Sequence, residues 1–548
     1  MRGTPTSLQA QKLARARRRL GARELWWWTP LLFAAAYLVT LAVQLNELLA
    51  NTYLNADVAS APVIGELFGE RTGDSPVILG HLGWFSSLVF ELATRWMPFH
   101  RQIWEGAPYG MALISAALIG WGAWRVAGRW AGAIALAIVI CAGPAALSLL
   151  LALNNHAPTW FTLALLGAFV VLLEQPAQLS GAWTGAAAIV VGVVLGVNAA
   201  SDTLLTIVGA APLVFAVGST WAIVRSRQTA RAAATVVVSC AVALASGLVV
   251  HAIARHQHVV SASDPKTKLF ASADAVGTNF KLWWQSIAVL GNGDFFGQTI
   301  GFSTALALLC AILSVAGVFL AGGIARGEVI GEVAVRDQRD VGANARLAWC
   351  LFWSSSLLVL SAAFIFSGVT EKGSNRYLLG AIYAVAALLP LLGRRGPIAR
   401  AALVGAVTVY AFSGWLALAQ RRIKPPSSPS YMLASAVQRL AIQEHLSVGY
   451  AGYWDAAPIT WATHMHVKVF PVDDCEGNQH LCAFELHLIT SWYTPRRGVK
   501  TFLLSDPAYP AVPSAPTPDL GPPVAVHQIG AVTMYVFPYD IASRLYAL

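Results

Sequence analysis

A chain of 548 residues that is 56% hydrophobic and only 12% charged, with a mean hydropathy of +0.59, is not a soluble globular protein, which carries about a quarter charged residues. Its net charge of +10 would suggest a polyanionic partner, but the basic residues stand in short loops between apolar segments, where they act as topology signals. No basic groove alternates with exposed aromatic rings as single-strand binding requires, so nucleic acid is excluded and a bilayer is the solvent the composition demands.

Residues 1–24 include Arg15, Arg17, Arg18, Arg19 and Arg23, and no small-residue cleavage site follows them. The first apolar segment, Trp26 to Gln44, is therefore expected to be an uncleaved anchor with a cytoplasmic basic N-terminus. A polar and amphipathic stretch, 46–108, comes next. Within it, His81 to Arg101 spreads Trp84, Phe85, Leu88, Leu92, Trp96 and Phe99 over one broad face, the pattern of a helix lying in the membrane interface.

Segments apolar enough to cross the hydrocarbon as helices are expected near 109–124, 130–153, 160–173, 183–199, 203–224 and 232–253. A second long loop, 256–298, carries Asp264, Lys266, Lys268, Lys281, Trp283, Trp284 and Asp294, a mixture suited to covering a cavity or capping a bundle. Spans near 299–322, 347–368, 377–393 and 401–419 bring the total to about eleven.

Loop charge agrees with this order. The loops assigned to the cytoplasm hold Arg125 and Arg129, then Arg225, Arg227 and Arg231, then the cations from Arg326 to Arg346, then those from Arg394 to Arg400. Each holds at least two arginines, as cytoplasmic loops should. An odd number of spans places residues beyond 420 on the extracytoplasmic side of the plasma (inner) membrane. No internal repeat is evident.

Lys424 to Ser430 reads as a linker, because its prolines cannot continue the last helix, which gives a transmembrane domain over 25–420, a linker over 421–430 and a C-terminal domain over 431–548. In that domain Tyr431 to His445 has helical periodicity, while Val467 to Val472, Thr501 to Ser505 and Val532 to Pro538 are short apolar runs bounded by turn residues. A small α/β domain is expected. Its aromatic residues Tyr450, Tyr453, Trp454, Trp461, Trp492 and Tyr493 suit either stacking on sugar faces or ordinary core packing.

Cys141, Cys240, Cys310 and Cys350 fall inside apolar segments, where a thiol packs as a small hydrophobe. Cys475 and Cys482 lie instead in the polar run Asp473-Asp474-Cys475-Glu476-Gly477-Asn478-Gln479-His480-Leu481-Cys482. Their spacing fits neither a CxxC redox pair nor a zinc site. A disulfide is expected if the domain faces an oxidising compartment, and two free thiols if it does not.

The order of elements, a first span, a long loop opening on an acidic residue and then a bundle with short loops, resembles the GT-C superfamily of glycosyltransferases over residues 25 to about 420. The motif is Leu54-Asn55-Ala56-Asp57-Val58-Ala59-Ser60. The resemblance implies a polyprenyl-phosphate sugar donor and a base at Asp57. Many members carry two adjacent acids or an acid-x-acid pair. Here Asn55 holds the companion position, which leaves metal dependence open, with a divalent cation the one cofactor the pattern admits and no protein metal site in view.

Chemistry supports the same residue independently. An acceptor hydroxyl attacks an anomeric carbon more readily when a carboxylate within hydrogen-bond reach takes its proton, and Asp57 is placed to do so at the membrane surface. The competing role for Asp57 is to cap a helix beginning near Val58. Glu66 and Glu70 fall on the solvated face of such a helix.

Glu371-Lys372-Gly373-Ser374-Asn375-Arg376-Tyr377 puts Lys372 and Arg376 at the outer entrance to a span. Its Arg-Tyr-Leu segment resembles one in late spans of several GT-C enzymes, and a guanidinium suits a phosphate; interfacial anchoring by Arg376 and Tyr377 is the competing role. His156 and Asp202 occupy the two other short loops on that side. Asp202 is expected at a helix end or facing a polar cavity, because a charged Asp at a span's centre costs about 2.5–3.5 kcal/mol. His156 suits phosphate contact or loop packing.

No P-loop, HExxH, GxSxG or dinucleotide fingerprint is present. Together these features point to a membrane glycosyltransferase, with an inverting reaction, moving a sugar from a polyprenyl-phosphate carrier to a glycan or lipid acceptor. The competing functions are a non-catalytic glycan-binding scaffold and a transporter or flippase, and the latter should show paired halves with broken helices or charges in mid-span.

Overall fold

A bilayer offers no hydrogen bonds, so a chain this apolar must satisfy its backbone within helices. The structure, a computed structural model, describes residues 28–50, 56–79, 96–97, 100–150, 156–175, 181–261, 270–334, 342–371, 373–420, 429–475, 480–509, 512–513 and 516–546. Its helices in chain order are α1 (Thr29–Ala50), α2 (Ala56–Leu67), α3 (His100–Ala127), α4 (Arg129–Ile140), α5 (Pro144–Leu150), α6 (Ala157–Leu173), α7 (Gly181–Ser201) and α8 (Thr203–Val224). They continue with α9 (Arg227–His256), α10 (Ala273–Leu290), α11 (Phe302–Ala334), α12 (Ala343–Phe366), α13 (Leu379–Leu388), α14 (Pro397–Ala419), α15 (Pro429–Gln443) and α16 (Tyr453–Ala462).

Among the described residues, eight helices are long and apolar enough to cross a membrane, and three shorter apolar helices run over Thr29–Gln44, Arg129–Ile140 and Ala157–Leu173. These helices lie at the positions expected from the apolar segments, except that the span expected near 130–153 is broken after Ile140 and resumes as α5 at Pro144, and the chain is a multi-pass membrane protein. The interfacial helix expected over His81 to Arg101 falls almost wholly outside the described residues, as do Asp264, Lys266, Lys268 and the basic N-terminus.

Two features of the bundle depart from a set of plain spans. The span Thr203–Val224 contains a π turn, Thr206–Ala210, and α13 is flanked by 3-10 turns, Ser374–Leu378 and Leu389–Arg395. The second long loop is also partly helical. Its α10 puts Trp283, Ile287 and Leu290 into the main apolar core while Lys281 points outward, so an amphipathic helix forms where the charged residues suggested a loop. Buried polar groups tie the helices together: Tyr37 Oη donates to the Ala142 carbonyl at 2.9 Å and Trp349 Nε1 to the Ala387 carbonyl at 3.0 Å.

The C-terminal α/β domain is built on a six-stranded sheet. Its strands are β3 (Val448–Ala451), β4 (Lys468–Asp474), β5 (Leu481–Ala483), β7 (Thr501–Ser505), β8 (Ala525–Ile529) and β9 (Val532–Phe537), in the order β5-β4-β3-β7-β9-β8. The central trio β4-β3-β7 is parallel and both edges are antiparallel. Helices α15 and α16 cover one face through Leu433, Val437, Ala441, Ala456 and Ile459, packed on Val469, Phe502, Leu504 and Met534.

The other face is covered from outside the domain. Tyr450, Phe470, Leu503 and Phe537 share a core with Ala59, Val63, Ile64 and Leu67 of α2. A second sheet completes the junction: β1 (Val77–Leu79) lies between β2 (Val259–Ser261), its parallel partner, and β6 (Leu488–Ile489), its antiparallel one. Both long loops and the domain are thus joined edge to edge. The domain also holds the Cys475–Cys482 disulfide, with Cα atoms 5.4 Å apart.

The expected helix over Tyr431 to His445 begins earlier, at Pro429, since proline is well suited to a first helical turn. Gly449 lies at a close contact within the sheet. A Cβ there would stand 2.2 Å from Phe502 Cζ, on the neighbouring central strand β7. Gly449→Val is expected to destabilise the protein by about 3 kcal/mol, the upper end of overpacking costs, measured as a lowered unfolding midpoint of the purified full chain.

Candidate active site

Asp57 lies within the first turn of α2, which begins at Ala56. The helix therefore starts one residue before Asp57, and the carboxylate is not left to act as its cap. Its charge still suits the positive end of the helix, but its partners come from elsewhere. Asp57 Oδ1 accepts a hydrogen bond from Tyr453 Oη at 2.9 Å, and Asp57 Oδ2 faces Arg376 Nη1 at 3.5 Å, both charged side chains being about a quarter exposed. First loop, late span and C-terminal domain meet at one carboxylate.

Arg376 is delivered by the 3-10 turn Ser374–Leu378, entered through Gly373 at φ 101°, a left-handed backbone that glycine adopts without steric cost. Its guanidinium sits 5.2 Å over the Tyr377 ring, with Nη2 donating to Tyr377 Oη at 3.4 Å. The Tyr377 ring in turn lies 5.0 Å from the imidazole of His156. His156, at φ 64°, precedes α6.

Asp202 fixes that imidazole. Its Oδ2 is 2.5 Å from His156 Nδ1 and 2.5 Å from Thr159 Oγ1, while Oδ1 accepts from the Leu204 backbone N–H at 3.0 Å and caps the next helix. Burial alone would push the Asp202 carboxyl up, but the His156 ring and these hydrogen bonds outweigh it and hold the group below its ordinary value. His156 and Asp202 are each 3% exposed, and among the described residues the buried His156 Nε2 has no hydrogen-bond partner. In this conformation the pair braces the Arg376–Tyr377 turn from behind.

Four of the residues singled out from sequence, Asp57, Arg376, His156 and Asp202, are thus joined through Tyr377 in one chain of contacts. Lys372 and Asn55 lie outside the described residues. Glu70 is exposed, as expected of a solvated face, and also forms an ion pair with Lys468 of the domain. Among the described residues no group of three or more His, Cys, Asp or Glu side chains is placed to hold a metal ion. At Asp57 the described partners are a cation and a phenol.

Tyr453 stood out in the sequence only as one of six aromatic residues singled out in the domain, with nothing to mark its hydrogen bond to Asp57. Its ring stacks on Phe484 at 4.7 Å and on His487 at 5.7 Å. Burial first, and then the Asp57 carboxylate, pushes its phenol far above the ordinary value, so it stays a donor throughout the physiological range. Tyr453→Phe removes one hydrogen bond to a charged group. It is expected to lower the stability of the full chain by about 1.5–3 kcal/mol, read as a reduced melting temperature in lipid.

No protein-family model matches the sequence, and no curated protein matches it at a significant level. Solved structures of similar arrangement include ArnT from Cupriavidus metallidurans bound to undecaprenyl phosphate, at 13% identity and a TM-score of 0.47 over 92% of this chain and 97% of that one. The Archaeoglobus fulgidus oligosaccharyltransferase in the apo form is similar at 12% identity and a TM-score of 0.47, over 88% of this chain and 70% of that one. The same organism's oligosaccharyltransferase AglB, in complex with an inhibitory peptide and a dolichol-phosphate, gives 13% identity and a TM-score of 0.45 over 81% and 64%.

Proposed function

We propose that this chain is a membrane glycosyltransferase of the GT-C type that transfers a sugar from a polyprenyl-phosphate donor to a glycan or lipid acceptor on the extracytoplasmic side, with Asp57 as general base. The observation that carries this reading is the meeting of Asp57 with Arg376 at 3.5 Å under the Tyr453 hydroxyl. A base and a phosphate-binding cation are brought together from distant parts of the sequence. In the reaction, the acceptor oxygen attacks the anomeric carbon on the face opposite the phosphate. The new C–O bond forms as the sugar–phosphate C–O bond breaks, the hydroxyl proton passes to Asp57, and the electron pair leaves with the phosphate.

Arg376 holds that phosphate through its planar fork, in place of its present contact with Asp57. His156, with Nε2 unpartnered, offers a second contact once Tyr377 shifts, and Asp202 sets its tautomer. Lys372 and Asn55 belong to the same donor region by sequence. The test is direct: purified protein in lipid, given a polyprenyl-phosphate sugar donor and envelope glycan or lipid, should release the polyprenyl phosphate and glycosylate the acceptor. Donor that stays intact with every acceptor fraction would refute the assignment.

The orientation rests on loop charge and on the disulfide, which persists in oxidising compartments. After mild reduction of cells with a permeabilised outer envelope, an impermeant maleimide is expected to label Cys475 and Cys482 without lysis. Labelling that appears only after lysis would place the domain, and the site with it, in the cytoplasm.

A further inference from the structure

The two oxygens of Asp57 are held differently. Tyr453 Oη donates to Oδ1 at 2.9 Å, whereas Arg376 Nη1 stands 3.5 Å from Oδ2, beyond the range of a good hydrogen bond. We infer that Tyr453 is a positioning residue of the transfer reaction: by holding Oδ1 it fixes the rotation of the carboxylate and presents Oδ2 to the attacking hydroxyl. This inference rests on the reading of Asp57 as the general base.

An aspartate needs such a hold. Its carboxylate turns about a soft, roughly two-fold torsion, while a general base must come within about 2.6–3.2 Å of the hydroxyl it deprotonates. A misplacement of about 1 Å can cost on the order of 100-fold in rate. Arg376 cannot supply the constraint, because in the reaction its guanidinium turns to the donor phosphate and leaves Oδ2 open. Of these two partners, the phenol is the one that stays.

The phenol is itself fixed from several sides. Tyr453 is the first residue of α16, and Ala457 and Trp461 of that helix share a core with Ala59, Val63 and Ile64 of α2, the helix that carries Asp57. Its ring stacks on Phe484 at 4.7 Å and meets the edge of Trp454 at 5.2 Å. The crevice beside it, lined by Ser60, Val63 and Ala457, holds about 10 Å³, room for one water at most, so the ring has nowhere to withdraw. Burial and the Asp57 carboxylate together keep the proton on the phenol, which makes Tyr453 a donor to the base and not a second base. The C-terminal domain thereby sets the orientation of a carboxylate that belongs to the first loop.

The experiment measures transfer by the full chain in lipid nanodiscs with polyprenyl-phosphate mannose, glucose and arabinose and an envelope glycan and lipid fraction, at a temperature where each variant is folded. Tyr453→Phe keeps the ring and loses the hydroxyl. Its kcat is expected to fall about tenfold while KM for the donor stays within about twofold, the split that marks an effect on the bound complex. Phe484→Leu keeps the hydroxyl and loosens the ring, and its kcat should fall between the two. Val437→Ala, in the core on the other face of the sheet, controls for stability: it should lower the melting temperature and leave kcat at the wild-type value. A wild-type kcat in both Tyr453→Phe and Phe484→Leu, or an equal fall in Val437→Ala, would overturn the inference and leave the enzyme reading in place. No turnover by the wild type with any of the three donors would remove the enzyme reading and this role with it.

Discussion

Asp57→Asn is expected to lower sugar transfer by at least about 100-fold, the lower end of what general-base catalysis contributes, while fold and donor affinity stay at wild-type values. The amide keeps the carboxylate's shape and still accepts from Tyr453 Oη through its carbonyl oxygen. In the first turn of α2 it gives up only the charge–dipole attraction, about 0.3–1 kcal/mol. What it cannot do is take a proton from the attacking hydroxyl. Rate of the bound complex, donor affinity and melting temperature should therefore separate, with only the first changed. A folded Asp57→Asn protein that transfers sugar at the wild-type rate would exclude Asp57 as the base, and Asp202, buried and committed to His156, would not replace it.

The same geometry shows how much of the molecule was legible in its sequence. The spans were readable because a bilayer imposes length and composition on each helix separately; no knowledge of the neighbours is needed to recognise Ala343–Phe366 as one. The C-terminal domain was readable only where strands are bounded by turn residues, as at Thr501–Ser505 and Val532–Phe537. The central strand Val448–Ala451 was not, because all four of its residues are buried and no alternation marks it. Nor was the sheet of β1, β2 and β6, whose strands of two or three residues come from three distant segments and exist only through one another.

Candidate site residues were found where a charge sat against an apolar background, as with Asp57, Arg376 and Asp202. Tyr453 carried no such signal. It is one aromatic residue among many in a domain whose position over the first loop is set by packing of α2 on the sheet, and packing between segments this far apart leaves no periodicity to read. Glu70 is the solvated acid that the sequence suggested, but its partner Lys468 belongs to the domain, so a helix considered alone could not show the ion pair. The competing role of Asp57 as a cap depended on a helix start near Val58, two residues later than the start observed at Ala56, a difference that propensity alone does not correct.

Arg376→Ala should behave differently from Asp57→Asn, because the two side chains act on different parts of the reaction. The arginine is expected to hold the donor phosphate, so its loss removes charge-assisted hydrogen bonds of about 1.5–3 kcal/mol. Donor affinity should fall roughly tenfold to a hundredfold, seen first as a raised KM for the donor. Arg376→Lys should recover only part of it, because a lysine keeps the charge and loses the planar fork that grips two oxygens at once. The loss of the contact with Asp57 is a smaller matter, since the carboxylate keeps the Tyr453 hydroxyl and is partly hydrated. If donor affinity is unchanged in Arg376→Ala while the melting temperature drops, the residue is an interfacial anchor packed on Tyr377, and the phosphate must be held by groups other than this guanidinium.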